Sequence, residues 1–270
     1  MGYAHGLFSW ADISAPDPAS ARTFYTSLFG WDAEDQHDPD GNYTYTMFSQ
    51  QGKTVAGLGP LPPDMVEQGM PAMWNSYISV DNLSSTVDGW VLAGGKVVMP
   101  PMDVFDAGRM AVVADPEGAI VALWQAQAHP GGELFNLPGS MTWNELNTRD
   151  AAAAREFYGN ALGWEFEVHQ REGAADYWLV TVPGKRQGPP LSNDPYNGGI
   201  LTMGEEFPPE TPAHWGVYFA VADTDADLAR LAELGGSVVA GPMDAPAGRM
   251  AVVADPSGAI FTLLRLPQPA

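Results

Sequence analysis

The sequence predicts an α+β protein of two domains, each made of two paired βαβββ modules that form a curved mixed sheet with helices on its convex side. Three observations carry this prediction. GRMAVVADPEGAIVALW at 108–124 returns almost unchanged as GRMAVVADPSGAIFTLL at 248–264. WADISAPDPASARTFYTSLFGW at 10–31 aligns without gaps on WNELNTRDAAAAREFYGNALGW at 143–164. Around these matches a pattern of one strand, a capped helix and several strands recurs four times, twice in each half.

In chain order, the strand WADIS is followed by Asp17 and Pro18, an N-cap and first-turn pair, and by an apolar-periodic helix that stops at Gly30. MWNSYISV (73–80) precedes Asn82 and a second helix ending at Gly94 and Gly95, after which short strands close with the hairpin at 108–124. The unit begins again at Trp143, and once more at His214 as HWGVYFAV, DTDADLARLAEL and the pair Gly235–Gly236. Proline and glycine cluster in HPGGELFNLPGS, a composition suited to an exposed linker. The expected division is therefore a first domain over 1–128, a linker over 129–140 and a second domain over 141–270. In the repeated ADPEGAI and ADPSGAI, Asp115 and Asp255 start tight turns that Gly118 and Gly258 complete with a positive φ, so these segments read as scaffold. Phe24, Tyr25, Phe157 and Tyr158 lie on helix faces and read as core.

Successive side chains of a strand point to opposite faces, which sorts each strand into a helix-facing and an open set. Val217, Phe219 and Val221 suit the helix side and leave His214, Gly216, Tyr218 and Ala220 opposite. Ile78 and Val80 leave Asn75, Tyr77 and Ser79. Ile13 and Leu146 leave Trp10, Asp12, Trp143 and Glu145, and the last strands add Ala122 and Trp124, then Thr262 and Leu264. Tryptophans and tyrosines on that face point to an aromatic concave surface rather than a solvated one.

Composition narrows the partners. A net charge of −21, scattered along the chain, repels polyanions, so nucleic acid is not expected as a partner. Absence of cysteine removes disulfides, thiolate metal ligands and cysteine nucleophiles together. No apolar run approaches the roughly 18 residues of a membrane helix, and MGYAHGLFSW lacks the pattern of a secretion signal, so no membrane partner and a cytoplasmic location are expected. The five histidines form no local zinc motif.

The paired modules, the helices ARTFYTSLFGW and AREFYGNALGW and the two ADPxGAI hairpins together resemble the vicinal oxygen chelate superfamily of glyoxalases, bleomycin-resistance proteins and extradiol dioxygenases, in its two-domain actinobacterial form. The resemblance spans almost the whole chain. It implies a divalent metal held by side chains at positions that fall here on Trp10, Asn75 and Ala122 in the first half, and on Trp143, Gly216 and Thr262 in the second. None is a usual metal ligand, so no metal and no other cofactor are expected.

Trp10 and Trp143 therefore either wall a site for a planar ligand or plug a closed core. Glu145, beside Trp143 and Tyr218, reads equally as a desolvated general base and as an ordinary hydrogen-bonded carboxylate. Asp12 is its counterpart, with Asn75 as a possible partner. His214 reads as a backbone-bonded histidine or as a base. Arg109 and Arg249 read as surface ion pairs or as anion contacts. The expected function is a metal-independent protein that binds a small planar or amphipathic molecule through Trp10, Asp12, Asn75, Tyr77, Trp124, Trp143 and Tyr218, for sequestration or resistance. Two further readings stay open. One is a glyoxalase-like or hydroxylase-like enzyme using Glu145 and His214 as catalytic residues, and the other is a structural homologue with closed clefts.

Overall fold

The computed structural model describes residues 2–170, 176–184 and 196–267. In the first half, β1 (Phe8–Ala15) leads into α1 (Pro18–Phe29), β2 (Asp32–His37), β3 (Tyr43–Gln50), β4 (Lys53–Pro60) and the short α2 (Pro63–Glu67). A second module follows as β5 (Met73–Ser79), α3 (Leu83–Leu92), β6 (Lys96–Val104), β7 (Gly108–Ala114) and β8 (Ile120–Ala126). The second half repeats the plan with β9 (Met141–Thr148), α4 (Ala151–Leu162), β10 (Glu165–His169), β11 (Tyr177–Thr181) and β12 (Tyr196–Thr202). It closes with β13 (His214–Ala220), α5 (Thr224–Glu233), β14 (Ser237–Ala245), β15 (Gly248–Ala254) and β16 (Ile260–Arg265). Two mixed sheets result, with strand orders β2-β3-β4-β1-β5-β8-β7-β6 and β10-β11-β12-β9-β13-β16-β15-β14.

The helix ends follow from the residues read as caps. The Asp17 carboxylate accepts the Ser20 N–H at 3.1 Å, Pro18 occupies the first turn, and Gly30 ends α1 with φ of 71°. Asp150 and Gly163, with φ of 69°, do the same for α4.

Contact density gathers the chain into two compact units. One comprises the chain to Trp10, Ser76–Gly131 and Trp143–Gly216, and the other comprises Ala11–Asn75, Gly132–Thr142 and Val217 onward. In the first unit α3 packs on α4 over a core that includes Phe8, Leu83, Trp90, Leu123, Leu146, Phe157 and Tyr158. The second unit centres on rings, with Phe29 stacked on Trp31 at 4.6 Å and Trp74 against Phe219 at 4.8 Å.

Each unit is fastened by one of the repeated hairpins. In the first, Asp115 Oδ1 accepts the N–H groups of Glu117 and Ala119 at 3.0 and 2.9 Å, while Oδ2 accepts the Tyr158 phenol of α4 at 3.1 Å. Trp215 Nε1 completes the cluster by donating to Tyr158 Oη at 2.8 Å. In the second, Asp255 holds Ser257 and Ala259 at 2.8 and 2.9 Å and accepts the Tyr25 phenol of α1 at 3.0 Å, with Trp74 donating to Tyr25 Oη at 3.0 Å. Gly118 and Gly258 take φ of 98° and 90°, as the turns require. The hairpin is written twice because each copy clasps the tyrosine of a helix from the other half of the sequence.

These buried phenols tie stability to alkaline pH. Burial first, then the neighbouring carboxylate charge, holds Tyr25 and Tyr158 well above the ordinary range of a tyrosine. A folded-state pKa above the unfolded value of about 10 means that this stability is fully present below pH ~10 and is lost as pH rises beyond it, because only the unfolded chain releases the proton. Above pH ~10 each tyrosine should steepen the loss by about 1.4 kcal/mol per pH unit. Tyrosinate absorbance at 295 nm and circular dichroism should then change together for these two residues. Independent titration of both in a folded protein would contradict the assignment.

The segment expected to be an exposed linker is instead anchored. Leu134 and Phe135 are buried, Glu133 N–H donates to Thr54 O at 2.8 Å while its carboxylate accepts Thr54 N–H at 2.9 Å, and Trp31 Nε1 donates to Gly139 O at 2.7 Å. Two apolar side chains within a proline- and glycine-rich run are the physical reason.

Candidate functional site

Strand register sets the local geometry. Asp12 on β1 pairs with Gly57 on β4, and Met47 of β3 faces the same glycine, which leaves Tyr45 two residues off on the diagonal. The Tyr45 side chain crosses over Gly57 and donates to Asp12 Oδ2 at 2.9 Å. A Cβ at Gly57 would lie 1.9 Å from Tyr45 Oη, so only glycine permits the crossing. Asn75 Nδ2 donates to the other oxygen of Asp12 and to Ser14 Oγ, both at 3.0 Å.

The second half repeats this apparatus with several changes. Glu145 on β9 pairs with Gly199 on β12, and Tyr177 of β11 crosses over that glycine to donate to Glu145 Oε2 at 2.7 Å. A Cβ at Gly199 would again lie 1.9 Å from the phenol oxygen. Trp143 Nε1 donates to Tyr177 Oη at 2.9 Å, so indole, phenol and carboxylate form one hydrogen-bonded row. Gly216 stands where the first half has Asn75, and it brings no amide to this carboxylate. Both carboxylates are buried, at 7% exposure for Asp12 and 8% for Glu145.

The indoles differ more. Trp10, Tyr77 and Trp124 are all buried, and Tyr77 meets Trp124 edge to face at 6.3 Å. The imidazole of His129 packs nearly perpendicular to Trp10 with ring centroids 4.6 Å apart, and the His129 carbonyl accepts Trp124 Nε1 at 3.0 Å. Trp143, by contrast, is only half-buried. Tyr218 is 6% exposed and registers beside Thr262. His214 is half-buried, with Nδ1 2.9 Å from Pro212 O. A carbonyl can only accept, so Nδ1 carries the proton and Nε2 of the neutral ring is the basic nitrogen. Arg109 pairs with Asp103 at 3.0 Å, and Arg249 with Asp225 and Asp244 at 2.9 and 3.2 Å, so both arginines hold ion pairs.

The strand-face reading thus placed Trp143 beside Glu145 and Asn75 beside Asp12. It missed Tyr45, Tyr177 and His129. A signal for the tyrosines exists, since YTMF and YWLV lie in corresponding strands and AGL and GGI in the strands beside them, giving one tyrosine and one glycine to each such pair.

Gly199→Ala tests the crossing. The added methyl should displace Tyr177, break its bonds to Trp143 and Glu145 and destabilise by about 1–3 kcal/mol, as overpacking does. In a Tyr177→Ala background the same change should cost far less, and an equal cost in both backgrounds would show that the glycine does not serve the tyrosine.

The metal positions of the resembling superfamily do not fit an ion here. Trp143 offers only an N–H, already given to Tyr177, and indole nitrogen has no lone pair for a cation. Ala122 and Gly216 bring no side-chain donor, and Asn75, whose Nδ2 is given to Asp12 and Ser14, offers a single amide oxygen, too few ligands for an ion. Among the described residues no group of three or more His, Cys, Asp or Glu is placed to hold a metal ion.

Comparison with known proteins agrees with this architecture. The chain is 41% identical over 264 residues to the mycobacterial protein CFP32 of Mycobacterium tuberculosis, whose name presents it as a candidate glyoxylase, covering 97% of this chain and 96% of that protein. It is 39% identical over 278 residues to the anthracycline biosynthesis protein DauV of a Streptomyces species, covering 98% and 94%. Among solved structures, the Mn(II)-bound glyoxalase from Novosphingobium aromaticivorans shares the fold, with a TM-score of 0.61 at 14% identity over 98% of this chain and 83% of that one. The profile of the glyoxalase/bleomycin resistance protein/dioxygenase superfamily matches twice, over residues 7–123 and 140–263, once for each half of the repeat. With both halves matched and near-full-length relatives at this identity, the chain belongs to the glyoxalase/bleomycin resistance protein/dioxygenase superfamily.

Proposed function

We propose that this protein binds a small planar or amphipathic molecule without a metal, in the manner of a bleomycin-resistance protein, for sequestration or resistance. The observation that carries the reading is the row Trp143–Tyr177–Glu145: a half-buried indole face beside a buried carboxylate whose position is fixed by a phenol. A few fixed polar groups beside an aromatic surface suit a flat ligand that brings hydrogen-bond donors, because phenol oxygen and carboxylate are acceptors. The name of the Streptomyces relative supports the choice of ligand class, since anthracyclines carry flat fused rings with hydroxyl groups. Tyr218 is a further proposed contact, and Trp10, Asp12, Asn75, Tyr77 and Trp124 are the first-half counterparts. The division into 1–128, 129–140 and 141–270 and a cytoplasmic location belong to the same proposal. No described helix is long and apolar enough to cross a membrane. The test is titration with an anthracycline and simpler planar phenols, read by tryptophan fluorescence, with saturable quenching expected.

The basic Nε2 of His214 favours a second reading, an enzyme of the glyoxalase-like or hydroxylase-like kind with Glu145 and His214 as its catalytic residues. Turnover of a bound 2-oxoaldehyde or anthracycline, lost in both Glu145→Gln and His214→Ala, would establish it.

A further inference from the structure

We infer that the first half carries a second site, shaped for a flat nitrogen heteroaromatic ring against Trp10, and that the chain's own His129 occupies it. The inference builds on the proposed function in treating the aromatic face as a ligand surface, but its test needs no second-half ligand.

The imidazole is inserted rather than draped. Its ring packs nearly perpendicular to Trp10 at 4.6 Å and lies 6.0 Å from Trp124, and its Nε2 is shut off from solvent although the residue as a whole is half-buried. Near-perpendicular packing of two rings at this distance is favourable, and an aromatic ligand could adopt the same geometry there.

The chain that delivers it is tightly held. After β8 it turns back on the β6–β7 turn, where Gln127 N–H and His129 N–H both donate to Ala107 O at 3.0 Å and Ala128 N–H donates to Asp106 O at 3.1 Å. Two glycines make room for this strap. A Cβ at Gly131, where φ is 122°, would lie 2.4 Å from Ser9 O, and a Cβ at Gly108 would lie 2.5 Å from the Trp124 ring.

Among the described residues the second half differs from this arrangement at two points. Leu264 replaces Trp124, and Pro267, which has no N–H, stands where Gln127 donates. Beside Pro267 the described residues border a groove of about 420 Å³ whose lining includes Asp244, Arg249 and Arg265.

Removing the ring should open the site to a free ring of the same kind. In His129→Ala labelled with 5-fluorotryptophan, the Trp10 signal should move and gain sensitivity to acrylamide. Free imidazole should reverse both changes and raise Tm saturably, half-saturating at ~1–10 mM as a five-atom ligand allows. Wild type should respond to imidazole in neither way. Gln127→Pro, which imports the second half's proline, should expose the same indole. An unchanged Trp10 signal in both variants, or exposure that imidazole does not reverse, would overturn the inference. Loss of second-half ligand binding alone would not, since it bears on the proposed function.

Discussion

Asp115→Ala is expected to lower the unfolding free energy by about 3–5 kcal/mol, a large part of the roughly 5–15 kcal/mol that holds a typical domain. Three donors lose their acceptor at once: the N–H groups of Glu117 and Ala119 and the phenol of Tyr158, in an interior where Asp115 is 2% and Tyr158 0% exposed. A buried donor left unpaired costs about 1–3 kcal/mol, and alanine admits little water to replace the carboxylate. Burial raises the Asp115 carboxyl above its ordinary range despite the hydrogen bonds it accepts, so the site holds this group at some cost. Asp115→Asn keeps a turn acceptor and should cost distinctly less. Tyr158→Phe leaves the Trp215 N–H without its acceptor and should fall between them. Chemical denaturation at pH 7 orders the three, and a cost below about 1 kcal/mol for Asp115→Ala would mean that the hairpin only turns the chain.

The sequence held most of the fold in readable form, because the repeat, the caps at Asp17, Gly30 and Asn82 and the strand alternation are local signals. The helix faces of Tyr25 and Tyr158 and the turns of Asp115 and Asp255 were each legible, yet the bond between them was not. It joins residues 43 positions apart in one unit and 230 in the other, and nothing in either segment states the pairing. The site was legible only to the depth of one strand. Alternation put Trp143 and Glu145 on one face, but Tyr177 reaches Glu145 diagonally across a neighbouring strand, and that contact depends on a register no local pattern encodes. His129 was hidden for another reason: a segment rich in proline and glycine reads as exposed, whereas its backbone bonds to Ala107 and Asp106 draw it onto Trp10.

The second large effect concerns binding. Trp143→Ala should weaken a planar ligand by about 1–3 kcal/mol, the value of removing a large apolar side chain from a contact, which is roughly 5- to 150-fold in affinity. Fold stability should suffer less, since Trp143 is half-buried and its indole N–H bonds a tyrosine that keeps its partner Glu145. Trp10→Ala should show the reverse balance, with a larger loss of stability and little loss of second-half affinity, because Trp10 is 4% exposed beneath His129.

Glu145→Gln then separates binder from enzyme, since it retains the shape of the row and an acceptor for Tyr177 while removing the charge and the base. A binding protein keeps most of its affinity for an uncharged ligand, whereas an enzyme keeps binding and loses turnover.

The most direct measurement is a calorimetric titration of one planar hydroxylated aromatic, such as an anthracycline, into wild type and Trp143→Ala, with Tm recorded for both. A metal-independent site on the Trp143–Tyr177–Glu145 row predicts saturable binding to chelator-treated wild type. It also predicts affinity at least about fivefold weaker in Trp143→Ala and a Tm within a few degrees of wild type. Binding that survives Trp143→Ala unchanged while the variant unfolds, or that vanishes on chelation and returns with a divalent ion, would contradict it.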